Sequence, residues 1–266
     1  MTFARYGLAA LLTASCGGPL VKLPAGPGVP ATDAAGALRE ATMACRAVST
    51  FTSEISVGGS VGGRRVRGRL LAGLAVPASV RLEAVAPLGQ PLFFFVARDE
   101  KTTVLLPREN RVIEHGASAD VLDAVAGVPL GAADLRIALT ACTAASDSSS
   151  ARQLGDNWRV VSNGPSEIYL YRDAHAKPWR LVAAVRRDAG HASWRAEYRD
   201  FVEGLPRTVR LASVDEARFD LRLTLSQVAV NEPLDAAAFT LRIPAGARPI
   251  TLDELKRSGP LATTPP

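Results

Sequence analysis

The residues of this chain best able to do chemistry are three histidines and three cysteines, and the histidines form no reactive cluster. His115, His175 and His191 lie far apart, and none has a metal-ligand partner at i+4 or a Cys/His cluster nearby. No G-x-S-x-G nucleophile elbow is present. The glycines of Gly58-Gly59-Ser60-Val61-Gly62-Gly63 fall between two strand-like runs, which makes the stretch a hairpin turn and not a phosphate cradle before a helix. Asp and Glu are numerous, but no pair is marked out by spacing. The expectation is a protein that is not an enzyme and that uses no cofactor and no metal.

The cysteines say more. Arg5 precedes a short apolar run, Tyr6 to Leu12, and then Leu12-Thr13-Ala14-Ser15-Cys16-Gly17-Gly18. A positive start, an apolar middle and small residues make an export signal, and the run is far below the ~20 residues a spanning helix needs. The Ala-Ser-Cys ending resembles the bacterial lipobox, in which the cysteine becomes the acylated first residue. The alternative is an ordinary signal peptide with an incidental cysteine. If Cys16 is acylated, Cys45 and Cys142 remain as a pair, either bonded in an oxidising compartment or buried as two free thiols.

These residues need a frame. The 266 residues are 47% hydrophobic and 21% charged, enough for a sizeable core and unlike a disordered chain. The net charge is +5, with arginines interleaved among Asp and Glu and no basic block that would mark a nucleic-acid site. The expected division is a signal peptide at 1–15, a Gly/Pro-rich tether at 16–32, a folded domain at 33–257 and a polar tail at 258–266. Asp33 to Val48 reads as a helix with Asp33 as its cap. Alternating runs then predict strands near 51–57, 65–71, 79–86, 92–97, 102–106 and 111–114. Two apolar helices interrupt them, one capped by Ser118 and ended by Gly127-Val128-Pro129, the other over Ala132 to Ala141. A polar loop covers 144–152. Strands resume at 158–162, 167–171, 179–187, 193–201, 207–214 and 218–230, and a short capped helix closes the domain from Thr251 to Lys256. The fold class is mainly β with helices: an incomplete, open antiparallel β-barrel of about 11 strands under a helical lid.

Two stretches carry more apolar residues than a solvated surface explains. Pro87-Leu88-Gly89 reads as the turn of a hairpin, with Leu88 at its tip. Leu88 either folds back onto the core or stands out as an apolar anchor. Leu92-Phe93-Phe94-Phe95-Val96 is apolar on both faces and must bury both. One face suits the core, the other a lid or a bound chain.

Val80-Arg-Leu-Glu-Ala-Val-Ala-Pro-Leu-Gly89 resembles the R-L…P-L-G hairpin of the LolB family of outer-membrane lipoprotein receptors, and Asp120 to Leu135 is similar to that family's junction between helices. The stretch from Pro233 to Pro244 is similar to the closing segment of the related periplasmic carrier family, LolA. The resemblance implies a lipid-anchored, periplasm-facing outer-membrane protein, monomeric, binding acylated lipoproteins and served by a LolA-like periplasmic carrier. It implies that acyl chains occupy an apolar cavity, drawn from Leu92, Phe93, Phe94, Phe95, Val121, Leu122, Val125, Leu135 and Leu139, and that Leu88 enters outer-membrane lipid. The alternative is a structural outer-membrane lipoprotein with no transfer role. The length of the mature chain, the Cys45/Cys142 pair and the C-terminal tail depart from the family pattern.

Overall fold

Inward-facing apolar residues recur at every second position of the strands, and pairing them in register curls the chain around them. The computed structural model describes residues 19–86, 89–98, 101–143, 149–174, 177–187, 194–214 and 218–258. The chain begins with β1 (Val29–Pro30) and helices α1 (Ala34–Ala41) and α2 (Met43–Arg46). Six strands follow: β2 (Thr50–Val61), β3 (Arg64–Ala75), β4 (Ser79–Val85), β5 (Pro91–Arg98), β6 (Lys101–Leu106) and β7 (Arg111–Ile113). Helices α3 (Ser118–Ala126) and α4 (Ala132–Thr140) come next. The second series is β8 (Ser150–Leu154), β9 (Trp158–Asn163), β10 (Ser166–Tyr171), β11 (Arg180–Arg186), β12 (Trp194–Val202), β13 (Leu205–Ser213) and β14 (Phe219–Val230). A 3-10 turn (Ala236–Phe239), β15 (Arg248–Pro249) and α5 (Leu252–Ser258) end it.

All strands belong to one sheet, in the order β1-β8-β9-β10-β11-β12-β13-β14-β2-β3-β4-β5-β6-β7-β15. The sheet is antiparallel except for the last pair, and it is an open barrel under a helical lid. The two strand series meet where β14 pairs with β2, aligning Leu221, Leu223 and Leu225 with Gly59, Val57 and Ile55. β2 to β5 continue this inner band through Leu70, Ala84 and Phe93. Gly62-Gly63 makes the β2–β3 turn, both with positive φ (56° and 75°), as a two-residue hairpin loop requires.

Among the described residues the sheet has fifteen strands, against about eleven expected. β8 is polar and half-buried and lies in the stretch read as a loop and its border; its pairing with β9 makes it a strand. β1 and β15 are two residues each, too short for any periodicity, and exist because they pair with the exposed edges of β8 and β7. The first helix is broken at Thr42, whose Oγ1 donates to the Leu38 carbonyl at 2.7 Å. Asp33 does not cap it; both its oxygens accept from Arg159, at 2.7 and 2.9 Å. Ser118 does not cap α3 either: its Oγ accepts from the Ala132 N–H at 3.2 Å, and so caps the following helix.

Helix α1 fills the concave side of β8 to β11, and α3 and α4 fill the concave side of the other strands. Cys45, at the end of α2, and Cys142, just beyond α4, form a disulfide with Cα atoms 5.5 Å apart. Residues 19–32 run along the outer face of β8 to β13. The backbone N–H of Val21 donates to Glu197 at 2.8 Å, Arg195 donates to the Val21 carbonyl, and Leu23 covers Tyr169, Val185 and Val160. Beneath this segment, Glu167 accepts from Arg152 (2.6 Å), Tyr169 (2.9 Å) and Arg187 (2.5 Å). Burial alone would raise the Glu167 carboxyl, but these three donors outweigh it and hold it below the ordinary glutamate value.

The disulfide closes a loop of 97 residues, so replacing both cysteines with alanine is expected to lower unfolding stability by about 4 kcal/mol, read from denaturant curves. Glu167 gives a pH signature. Its lowered folded-state pKa means that its contribution is complete above the ordinary glutamate range and is lost as pH falls toward the lowered value. Melting temperatures of the native protein and Glu167→Gln are therefore expected to differ at neutral pH and to converge in acid.

Candidate functional site: an apolar cavity under the helix pair

Between the inner faces of β2 to β5, β13 and β14 on one side and α3–α4 on the other lies a cavity of about 150 Å³. Its wall of strands presents Ile55, Val57, Leu70, Leu82, Ala84, Leu92, Phe93, Leu221 and Leu223, and its helical roof presents Leu122, Ala126, Leu135, Ala138 and Leu139. Gly68 sits among them without a side chain, between Val66 and Leu70. The roof is seated by α3's end: Gly127 takes the left-handed conformation (φ 68°), and a Cβ there would lie 2.5 Å from Val61 Cγ1. Helix α4 is tied down by Tyr198, whose hydroxyl donates to the Ile137 carbonyl at 2.8 Å, and by the Arg186–Asp134 ion pair at 2.9 Å. Burial pushes the Tyr198 phenol up.

Among the described residues, the lining holds no carboxylate, histidine, thiol or hydroxyl side chain; its polar residues are Arg67 and Arg69 of β3. Arg69 meets Glu54 at 3.4 Å on the surface. Such a chamber can exclude water and hold hydrocarbon. Among the described residues, no group of three or more His, Cys, Asp or Glu comes together in a way that could hold a metal ion.

Of the nine residues expected to line a chamber, Leu92, Phe93, Leu122, Leu135 and Leu139 do so together. Phe95 shares the inner face but lies one step deeper and is packed solid at 0% exposure. Phe94 points to the other side of the sheet, where the Arg81 guanidinium stands 5.7 Å from its ring. Val121 and Val125 are buried on the neighbouring face of α3, a rotation of one residue from Leu122 and Ala126. Gly89 is described: its φ is 82°, it is exposed, and its N–H donates to the Ala86 carbonyl at 2.8 Å. Cys16, Pro87 and Leu88 lie outside the described residues, as do His175 and His191; His115 is exposed. Missed at the sequence level were the contributions of β2, β3, β4, β13 and β14. Their alternation was visible, but which rows meet around one void depends on long-range register.

No protein-family model and no curated protein matches the chain. Among solved structures, it is similar to a LolA superfamily protein from Nitrosomonas europaea, with a TM-score of 0.52 and 11% identity over 77% of this chain and 96% of that one. It is similar also to a DUF1329 family protein from Desulfovibrio piger, with a TM-score of 0.52 and 12% identity over the same shares of the two chains. The chain has the LolA-superfamily fold. At these identities the likeness is one of backbone architecture, and the lining of this LolA-type barrel is argued from its own residues.

Ala126 is a half-buried residue at the end of α3 that faces the void, so Ala126→Phe should fill the void without rebuilding the core. Binding of an apolar fluorescent probe is expected to weaken about tenfold, ~1.4 kcal/mol. Leu122→Ala should do the opposite, enlarging the site while costing about 2–5 kcal/mol of stability.

Proposed function

We propose that this protein is a lipid-anchored, LolB-like envelope receptor. It takes lipoprotein acyl chains beneath α3–α4 from a LolA-like periplasmic carrier and passes them to outer-membrane lipid. It is not an enzyme. The observation that supports this reading is the cavity, hydrocarbon on both walls and, among the described residues, without a reactive group in its lining. An acyl chain of about fifteen methylenes holds about 12 kcal/mol of hydrophobic free energy, which a carrier must match by burial during transfer. A void of about 150 Å³ accepts a ligand of about the size of benzene. Holding a whole chain therefore requires α3–α4 to lift from the sheet.

The cavity's position suits delivery. Ala84, Val85, Leu92 and Phe93, where β4 ends and β5 begins, line it together with half-buried Val66 and exposed Arg67, so its mouth lies at this end of the barrel. In this reading the cavity holds the chains and Leu88 opens the route into the bilayer.

The modest volume also suits a scaffolding lipoprotein with no transfer role, and lipid uptake separates the two. Native mass spectrometry of protein extracted from its own envelope is expected to show bound lipid; a ligand-free protein supports the scaffold. Cys16→Ala is expected to leave the protein unprocessed or soluble; retention in carbonate-washed outer membrane would count against the anchor. Leu88→Glu is expected to keep its melting temperature and bind lipoprotein, yet fail to pass a labelled lipoprotein to liposomes, because a charged tip opposes insertion at the headgroup boundary. Normal transfer by that variant would remove Leu88 from the mechanism, and unfolding would make it a core residue.

A further inference from the structure

The Gly/Pro-rich segment after Cys16 is not laid out as a free linker. From β1, paired to the edge strand β8, residues 19–28 cross the outside of the sheet toward β13. Two kinds of contact fix them. Leu23 closes an apolar cluster on the outer face, over Val160, Tyr169, Ala183 and Val185. Val21 is gripped at both backbone groups: its N–H by Glu197, a carboxylate only 1% exposed, and its carbonyl by Arg195. Leu20 then borders the same depression as Ser213 and Val214.

Ser213 and Val214 stand at one particular end of the barrel. Arg218, just before β14, meets the β2–β3 hairpin there, its carbonyl accepting from the Gly62 N–H at 2.8 Å. Strand β4 ends and β5 begins at the same end, since Val85 pairs with both Arg69 and Pro91. Four residues separate Cys16 from Leu20, a reach of at most about 14 Å. β13 is nine residues long, so the opposite end is about 30 Å away. A lipid on Cys16 therefore belongs to the end that carries the cavity mouth. The β3 edge of that end is cationic: Arg64, Arg65 and Arg67 are exposed, and Arg65 and Arg67 have no carboxylate partner among the described residues, whereas Arg218 and Lys256 beside them both pair with Asp123.

We propose that the N-terminal strap moors the barrel rim-down, so that the Arg64–Arg67 edge and the cavity mouth meet the headgroups of an anionic bilayer. The inference rests on acylation of Cys16, as proposed above. The strap then acts as an orienting device, and the lipid sets which end of the barrel faces the membrane.

The test uses the full acylated protein on phosphatidylcholine–phosphatidylglycerol vesicles, with a nitroxide at Val214→Cys on the rim or at Glu203→Cys at the far end. The rim label is expected at headgroup depth, with several-fold more contact with lipid-soluble oxygen than the far label, which stays in water. Leu23→Asp, or Val21→Pro where the first disturbs folding, is expected to make the two labels alike while flotation with vesicles persists. Arg65→Glu with Arg67→Glu is expected to withdraw the rim label on anionic vesicles and to change nothing on pure phosphatidylcholine. A far label deeper than the rim label overturns the orientation, as it would place the exposed Phe201–Val202 turn in the membrane. An unchanged rim label in both strap variants overturns the mooring. Failure of the native protein to float overturns the anchor reading and this inference with it, and is told apart because no label then reports lipid.

Discussion

A curved antiparallel sheet has one concave apolar face and cannot cover it with its own side chains once the barrel is left open. Everything else in this fold answers that constraint. Helix α1 seals the face of β8 to β11, and α3–α4 seals the face of the remaining strands. The first fit is dense, with Ala34, Ala37 and Leu38 at 3% exposure or less. The second leaves a gap because the sheet opposite α3–α4 places Gly68 and Ala84 where larger residues would have touched the helices. The void is thus a product of small residues at defined register positions.

Openness also leaves two strand edges and an outer face. The chain handles both with its terminal segments. β1 and β15 each add a two-residue strand to an edge, and the segments attached to them lie over the convex side. The Arg81 guanidinium donates to the Ala238 carbonyl at 3.0 Å, fastening the C-terminal segment as Glu197 and Arg195 fasten the N-terminal one. Unpaired edges are templates for association, and both are closed here by the protein's own backbone.

The strand alternation, the two helices at 118–126 and 132–140 and the Gly127 stop were legible in the sequence, because each is a local signal. The fold class followed from them. The strands at 29–30 and 248–249 were not, since two residues carry no period and pair only because an edge is available. Ser118 and Asp33 show the same limit from another side. Each is a good cap by type, but a partner distant in sequence, Ala132 or Arg159, takes its oxygen. At the site, Leu122, Leu135 and Leu139 could be picked out by apolar periodicity, whereas the choice between Leu122 and Val121 needed the helix's rotation about its own axis. Leu221 and Leu223 alternate plainly, but nothing local says that they face Leu92 and Phe93 across one void.

The disulfide has a mechanical consequence. Cys142 holds the trailing end of α4 against Cys45, at the end of the barrel near Val48 and Phe51, while the α3–α4 junction rests on Val61 at the opposite end. The helix pair is thus a lever with a covalent pivot. Were the pair to lift, displacement would be smallest at the pivot and greatest at the Val61 end, so the chamber would widen as a wedge.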